Sequence, residues 1–314
     1  LCFSPFFTIS LSTRNNNGHF TDYFLSTTGH AAPVSNGGTS PMNPTIHTLY
    51  FSPTGTTEKI VARIAQRLAR NRDGSETIHS IDCTLPEARK KPISFDRQDL
   101  VVTGVPVYAG RVPNVLLKFL HTISGNGATA VAVVLYGNRH YDDALIEFTD
   151  ILTSTGFHVV AGGAFVGEHS FSTTLGKNRP DDLDIAVALD FADRIHEKLQ
   201  APGEPPSVVV NGNRPYRDYY RIKGPDGTVV SILKVTPRTS DDCIDCKLCA
   251  EVCPMGSIDS DDVSRITGIC IKCCACVKKC PVGAKYFDDE HYLRHKEELE
   301  AAFTRIRREP ECFL

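Results

Sequence analysis

IHTLYFSPTGTTEKIVARIAQRL, residues 46–68, decides how the rest of the chain is read. IHTLYF is an apolar run of strand length, and Ile60, Val61, Ile64, Ala65 and Leu68 then fall on one face of a helix. Between them stands Ser52-Pro53-Thr54-Gly55-Thr56-Thr57, with four hydroxyls and one glycine in six residues. A strand that turns through such a loop into a helix presents N–H groups and the positive helix end to an anion. Helix capping requires only one hydroxyl, from Thr56 or Thr57, and leaves the others unexplained. The pattern G-x-x-x-x-G-K-[ST] is absent, and no G-x-G-x-x-G follows the first strand. Lys59 comes only on the first helical turn. A phosphate monoester held by neutral donors fits this loop best.

Outward from this stretch the pattern continues. Further strand-length apolar runs lie at 77–81, 100–105, 130–135 and 157–166, and helical periodicity at 57–70, 113–123, 141–155 and 181–199. Five strands alternating with helices predict a parallel sheet covered on both faces, and right-handed crossovers favour a doubly wound order 2-1-3-4-5. A ligand of that sheet sits outside the carboxyl ends of the strands, at the switch point. Two more loops leave the same edge. One is Pro106, Val107, Tyr108, Ala109, Gly110, Arg111, Val112 and Pro113; the other is Tyr136, Gly137, Asn138, Arg139, His140, Tyr141, Asp142 and Asp143. Their small residues let backbone approach a flat ring, and Tyr108 can stack on it. The Asn138 side chain and backbone amides can read a pyrimidine edge, and Arg139 can stabilise negative charge on a reduced ring. The competing reading is turn chemistry with a helix capped at Asp142. His140 and the pair Glu168-His169 leave the same edge and are candidates for proton transfer, although a loop histidine without a partner is more often simply solvated. No catalytic residue is assigned.

Nine of the 12 cysteines fall between Cys243 and Cys280. Cys243, Cys246, Cys249 and Cys253-Pro254 form one C-x2-C-x2-C-x3-C-P run, and Cys270, Cys273, Cys276 and Cys280-Pro281 repeat it 27 residues later. Gly256 and Gly283 follow the two prolines at the same distance. Three cysteines at this spacing wrap three irons of a cubane, and the fourth thiolate comes from the other copy. One 4Fe–4S cluster is therefore assigned to Cys243, Cys246, Cys249 and Cys280, and a second to Cys270, Cys273, Cys276 and Cys253. Zinc sites more often pair separated C-x2-C units. Cys274 breaks the register and reads as a bystander, and Cys2, Cys83 and Cys312 as inert thiols.

The remaining composition is that of a globular protein: 314 residues, 41% hydrophobic, 23% charged and a formal net charge of −3. That balance gives no support to nucleic-acid or membrane partners. Cysteines clustered in a long chain point to metal ligation in a reducing, cytoplasmic setting rather than to a disulfide scaffold. The expected organisation is a flexible or non-native leader at 1–42, the sheet domain at 43–200, a linker with a hairpin at Gly224-Pro225-Asp226-Gly227 within 201–238, the small α+β cysteine domain at 239–290, and a helix with tail at 291–314. In the linker, Arg214, Tyr216, Arg217, Tyr219, Tyr220, Arg221 and Lys223 read as a packed segment with solvated charges; the competing reading is a docking surface for an acidic partner.

The segments FSPTGTTEK, GVPVYAGRVP, LYGNRHYDDAL and GAFVGEH, followed by the paired cysteine runs, resemble the fused flavodoxin–ferredoxin proteins found mainly in anaerobic microbes. SPTGTT itself resembles the phosphate loop of flavodoxins, and the resemblance spans 45–290. It implies a flavodoxin-like five-stranded sheet joined to a bacterial-type two-cluster ferredoxin domain. It also implies FMN, with its phosphate on Ser52, Thr54, Gly55, Thr56 and Thr57 and its ring between the loops at 106–112 and 136–142. Asp245 and Lys247 depart from the small residues such ferredoxins often carry, Cys274 is extra, and the leader has no counterpart. The function expected is an oxidoreductase moving electrons between 4Fe–4S clusters and FMN, toward a small-molecule acceptor or a redox partner protein. A pure electron carrier and, further off, a redox sensor are the alternatives; no added output domain for a sensor is visible. A chain begun at Met42 is expected to fold and bind its cofactors; failure of either, followed by circular dichroism and iron content, would remove the leader assignment.

Overall fold

A computed structural model describes residues 45–74 and 77–314 and, nearer the start, the backbone of three short strands. The chain divides into two compact units, Leu1–Asn43 and Pro44–Leu314. In the first, Ser10–Arg14, Phe20–Leu25 and Ala31–Pro33 pair antiparallel in sequence order. This small ladder lies within the segment expected to be a flexible or non-native leader. The expectations for Cys2 and for a start at Met42 lie outside the described residues.

The second unit begins with β1 (Ile46–Tyr50), α1 (Thr56–Asp73) and β2 (His79–Asp82). There follow β3 (Leu100–Pro106), α2 (Asn114–Leu120), β4 (Thr129–Tyr136), α3 (Ala144–Ser154), β5 (His158–Val166) and α4 (Asp182–Gln200). β1 pairs in parallel with β2 and β3, β3 with β4, and β4 with β5, giving the order 2-1-3-4-5. A sixth strand, β6 (Glu311–Phe313), pairs antiparallel with β5, with Glu311 opposite Ala164 and Phe313 opposite Gly162. The five parallel strands stand in the expected order, and this strand extends the sheet beyond β5. Three residues are too few to show a period, so an edge strand of this length is recognised only by its partner.

Both faces of the sheet are covered. Ile60, Val61, Ile64 and Leu68 of α1 and Phe191 and Ile195 of α4 bury one face against Val102, Val131 and Val133. Leu116 and Leu120 of α2 and Phe148 and Leu152 of α3 bury the other against Val101, Ala132 and Val134. Each such side chain contributes about 1.5–3 kcal/mol. α1 ends at Gly74, which takes a left-handed φ of 71°. α4 begins in a capping box in which the Asp181 carboxylate accepts from the N–H groups of Leu183 and Asp184.

After α4 the chain returns along β5, where the Val208 N–H donates to Val159 O at 2.9 Å. A hairpin of Ile222–Lys223 and Val229–Val230 turns through Gly224 to Gly227. The cysteine module holds two single-turn helices, α5 (Leu248–Glu251) and α6 (Ala275–Lys278), and is closed by pairing of Arg238–Thr239 with Lys285–Tyr286. α7 (Glu290–Phe303) leads to β6. No helix among the described residues is long and apolar enough to cross a membrane.

Gly104 on β3 sets how closely α1 approaches the sheet. A methyl group there would stand 2.5 Å from Val61 Cγ2 and 2.9 Å from Thr57 Cγ2. Gly104→Val is therefore expected to destabilise the chain by about 1–3 kcal/mol, read as a lower urea midpoint with an unchanged slope.

Candidate cofactor sites

The anion loop opens where the chain leaves β1. Ser52 is buried and holds three bonds: its N–H donates to Thr84 Oγ1 at 2.8 Å, its carbonyl accepts from Gly55 N–H at 3.1 Å, and its hydroxyl accepts from Glu58 N–H at 3.0 Å. The sequence pointed to Thr56 or Thr57 as the cap of α1; the hydroxyl that serves the first turn is that of Ser52. Gly55 makes the turn possible, with a φ of 87°. Thr54 and Thr56 face one another, their hydroxyl oxygens 3.5 Å apart, and the N–H groups of Thr56 and Thr57 have no partner within the helix. Lys59 sends its ammonium to Pro180 O at 2.7 Å, away from the loop, so the donors around the turn are neutral. Gly167, just past β5, comes up against this cradle: a methyl group there would lie 3.2 Å from Thr56 Oγ1.

The two loops expected to hold a ring touch each other. Tyr108 and Arg111 exchange backbone hydrogen bonds around Ala109 and Gly110, both at positive φ. Gly110 is required here, because a methyl group would meet Asp142 Oδ2 at 2.4 Å. Asp143 N–H donates to Gly110 O at 3.1 Å, and Val107 N–H to Leu135 O at 2.7 Å. Pro106 ends β3 and Tyr136 ends β4, so both loops start from fixed strands.

Several side chains proposed as ring contacts are committed elsewhere, and those roles are corrected. Asn138 is buried; its amide nitrogen donates to Phe303 O at 3.0 Å and Ile306 O at 2.6 Å, and its oxygen accepts from Arg308 N–H at 3.1 Å. Its amide pins the segment after α7 and is not free to read a ring edge. Arg111 forks onto Glu147 with two bonds of 2.8 Å, between the rings of Tyr216 and Tyr219. Tyr141 is buried and donates its hydroxyl to Glu311 Oε2 at 2.6 Å. Arg139 pairs with Asp142 and lies over the Tyr220 ring. Tyr108 remains, half-buried, beside Cys270, Cys273 and Cys274. Burial first, and then the negative charge of those cysteines, push its hydroxyl well above the ordinary tyrosine range.

The linker patch is largely spent within the molecule. Arg214 and Tyr216 bind Asp150, Tyr219 donates to Val112 O, and Tyr220 N–H donates to Ala109 O. Asp143 accepts from Asn213 and from Arg217 N–H; burial works against its charge, but these bonds outweigh it and hold its pKa below the usual range.

The motif cysteines line two cavities. Cys253, Cys270, Cys273 and Cys276 surround one, walled by Pro254, Ile258, Ile271 and Phe287. Cys243, Cys246, Cys249 and Cys280 surround another, with Ile244, Val263 and Val282. The two loops match in backbone as in sequence. Asp245 and Lys247 in the first, and Lys272 and Cys274 at the equivalent places in the second, all have left-handed φ between 54° and 63°. Ser257 N–H donates to Cys253 Sγ at 3.4 Å and Ala284 N–H to Cys280 Sγ at 3.2 Å. Burial, then neighbouring cysteine charge, raises Cys276 to about 12, and burial raises Cys273 as far. Such crowded thiols ionise together only around a compensating cation, so the donor set fits an iron–sulfur cluster. Among the described residues no three His, Cys, Asp or Glu side chains converge as a single ion requires. The Cys274 thiol instead reaches Tyr292 Oη at 3.3 Å and Lys272 O at 3.4 Å. Cys83 is buried on Tyr50 O and raised to about 12 by burial.

Sequence reasoning missed Thr84, which anchors Ser52, and Lys278, which bonds Glu168 and donates to Ser172 O at 2.8 Å. It also missed the tie of residues 303–311 to Tyr136, Asn138 and Tyr141. No local period marks such partners.

His169 packs on Gly137, where a methyl group would stand 2.4 Å from its Cδ2, and Nδ1 accepts from Phe171 N–H at 3.1 Å. Burial, then the charges of His295, Lys278 and Arg139, lower its pKa from 6.5 to about 3. The folded chain thus keeps this ring neutral where the unfolded chain protonates it. Its contribution to stability is full above pH 6.5 and is lost as pH falls toward 3, by up to about 1.4 kcal/mol per pH unit. Urea titrations at pH 7.5, 6 and 5 are expected to show this decline, and His169→Gln to flatten it.

Comparison with known proteins places these features. A flavodoxin-domain family model matches residues 48–143, and a 4Fe-4S binding-domain model matches residues 238–259. A search of curated proteins finds no match. Among solved structures, the flavodoxin of Streptococcus pneumoniae TIGR4 is similar at 20% identity over 49% of this chain and 98% of that one, with a TM-score of 0.34. A Fusobacterium nucleatum flavodoxin bound to flavin mononucleotide is similar at 19% identity over 49% and 97%, with a TM-score of 0.33. With a doubly wound sheet, a flavodoxin domain ahead of a 4Fe–4S domain, and cysteine-lined cavities in the same unit, the chain has the fused flavodoxin–ferredoxin architecture of an iron–sulfur flavoprotein of electron transfer.

Proposed function

We propose that the chain moves electrons between two 4Fe–4S clusters and FMN, as an oxidoreductase acting on a small acceptor at the flavin. One observation carries this reading: the eight motif cysteines fall into two cavities of four within the same unit as the anion loop, and one set adjoins Tyr108 of the ring loop. When bound, the clusters pass single electrons and the flavin takes one or two.

The residues divide the work. Cys270, Cys273, Cys276 and Cys253 hold one cluster, and Cys243, Cys246, Cys249 and Cys280 the other. The cradle at Thr54, Gly55, Thr56 and Thr57, shaped by Ser52, holds the phosphate. Pro106–Arg111 and Tyr136–Asp142 flank the ring, with backbone and Tyr108 as the contacts. The first cavity is the inner one: Ile271 in its wall packs against the core beneath α2 and α3. The second is walled by residues of 243–285, with Ile244 61% and Val282 43% exposed. This outer wall is where a redox partner protein would exchange electrons.

Anaerobic reconstitution with iron, sulfide and FMN tests the assignment. About eight irons per chain are expected, four for each cubane, and about four would remove the second cluster. The double change Thr54→Glu, Thr56→Glu is expected to abolish FMN binding through charge repulsion while the iron content stays unchanged; FMN bound as in the natural chain would move the phosphate elsewhere.

A further inference from the structure

Arg89 sits where the anion loop and the inner cysteine cavity meet. It lies in the 3-10 turn Pro86–Lys90 that follows β2. Its guanidinium is 5.6 Å from the centre of the Phe51 ring. Nη1 donates to Cys83 O at 2.7 Å and to Thr84 O at 2.6 Å, and Nη2 donates to Pro254 O at 2.6 Å. Pro254 directly follows Cys253, the cysteine that joins the Cys270 set.

The other end of this contact leads to the anion loop. Thr84 Oγ1 accepts from Ser52 N–H at 2.8 Å, and Ser52 in turn holds Gly55 through its carbonyl and Glu58 through its hydroxyl. An uninterrupted path of short hydrogen bonds therefore runs from Cys253-Pro254 through Arg89, Thr84 and Ser52 to Gly55. A second contact supports the same junction: a methyl group on Gly256 would lie 3.5 Å from Pro86 Cγ, so the cysteine loop rests on the turn that carries Arg89. The planar fork spans the two loops, with Nη1 on one and Nη2 on the other, a reach that the compact ammonium of lysine does not reproduce.

We propose that Arg89 is a coupling residue. Filling the cavity of Cys253, Cys270, Cys273 and Cys276 fixes Pro254 O, and through Arg89, Thr84 and Ser52 sets the anion loop in its phosphate-binding form. This rests on the cofactor reading given above. With the cavity empty, the Cys253 loop is released, the Arg89 fork loses one of its anchors, and the Cys83–Thr84 turn is held less firmly. Coupling of this kind is reciprocal, so the phosphate monoester also slows loss of iron from the inner cavity.

The test uses the full chain and reads binding rather than turnover. FMN affinity is measured by flavin fluorescence in iron-loaded and iron-stripped protein. The natural chain is expected to bind FMN about tenfold more tightly when loaded, within the usual range of allosteric coupling. Loaded Arg89→Ala is expected to bind like the stripped natural chain and to respond little to stripping, with Arg89→Lys between them. Iron release to a chelator gives the second measurement: FMN slows it in the natural chain and not in Arg89→Ala. Loaded Arg89→Ala with natural affinity, or with an undiminished response to iron, would overturn the coupling. If stripping unfolds the chain, seen by circular dichroism, the two loaded proteins and the chelator rates decide. A loaded natural chain that binds no FMN would instead overturn the flavin assignment, and the coupling with it.

Discussion

Three carboxylates taken out of water organise the edge of the sheet. Asp143, Glu147 and Asp184 are each at most 3% exposed, and a buried carboxylate is destabilising until donors meet it. Their donors come from other segments of the chain. Glu147 draws in Arg111 and the N–H of Val112; Asp143 draws in Asn213 and Arg217; Asp184 is met by Arg179, which also donates to Arg308 O. Loop, linker and C-terminal segment are thereby fixed at one edge with little regular secondary structure of their own. Removing one partner from such a group costs about 3–5 kcal/mol, as much as a large core side chain.

The same edge carries the cysteine module. Lys278 of α6 reaches Glu168 and Ser172, beside the loop that leaves β5, while Tyr220 N–H bonds Ala109 in the loop that leaves β3. Phe171, Tyr292 and Phe287 stack in series, with ring centres 4.5 Å and 4.3 Å apart, and bridge that loop to the second cysteine run. The module is therefore seated on the loops that leave β3 and β5, rather than tethered by a free linker.

Much of this was legible from residue order because periodicity survives burial. The alternation of apolar runs and helical faces from Ile46 to Gln200 located five strands and four helices, and the 27-residue repeat exposed the paired cysteine loops. What was not legible depends on partners distant in sequence. Asn138 looks like a ring-reading amide until the carbonyls of Phe303 and Ile306 arrive beside it. Ser52 looks like one more anion donor until its hydroxyl is seen on the first turn of α1. Arg89 sits in the polar run PEARKK, which carries no sign of the carbonyl it meets on the cysteine loop. The departures at Asp245, Lys247 and Cys274 gain a physical meaning from the backbone: they occupy left-handed positions, where glycine is the unstrained residue.

The antiparallel strand β6 also places a constraint on the order of assembly. Its residues follow all eight motif cysteines in the chain, yet they complete a sheet whose other strands end at Val166. During synthesis the backbone donors and acceptors of Gly162 to Ala164 stay uncovered until the cysteine module has left the ribosome. An open strand edge is a template for pairing with other chains. The sheet edge at β5 is therefore completed only after the whole cysteine module has been made, so its late closure is built into the order of the chain.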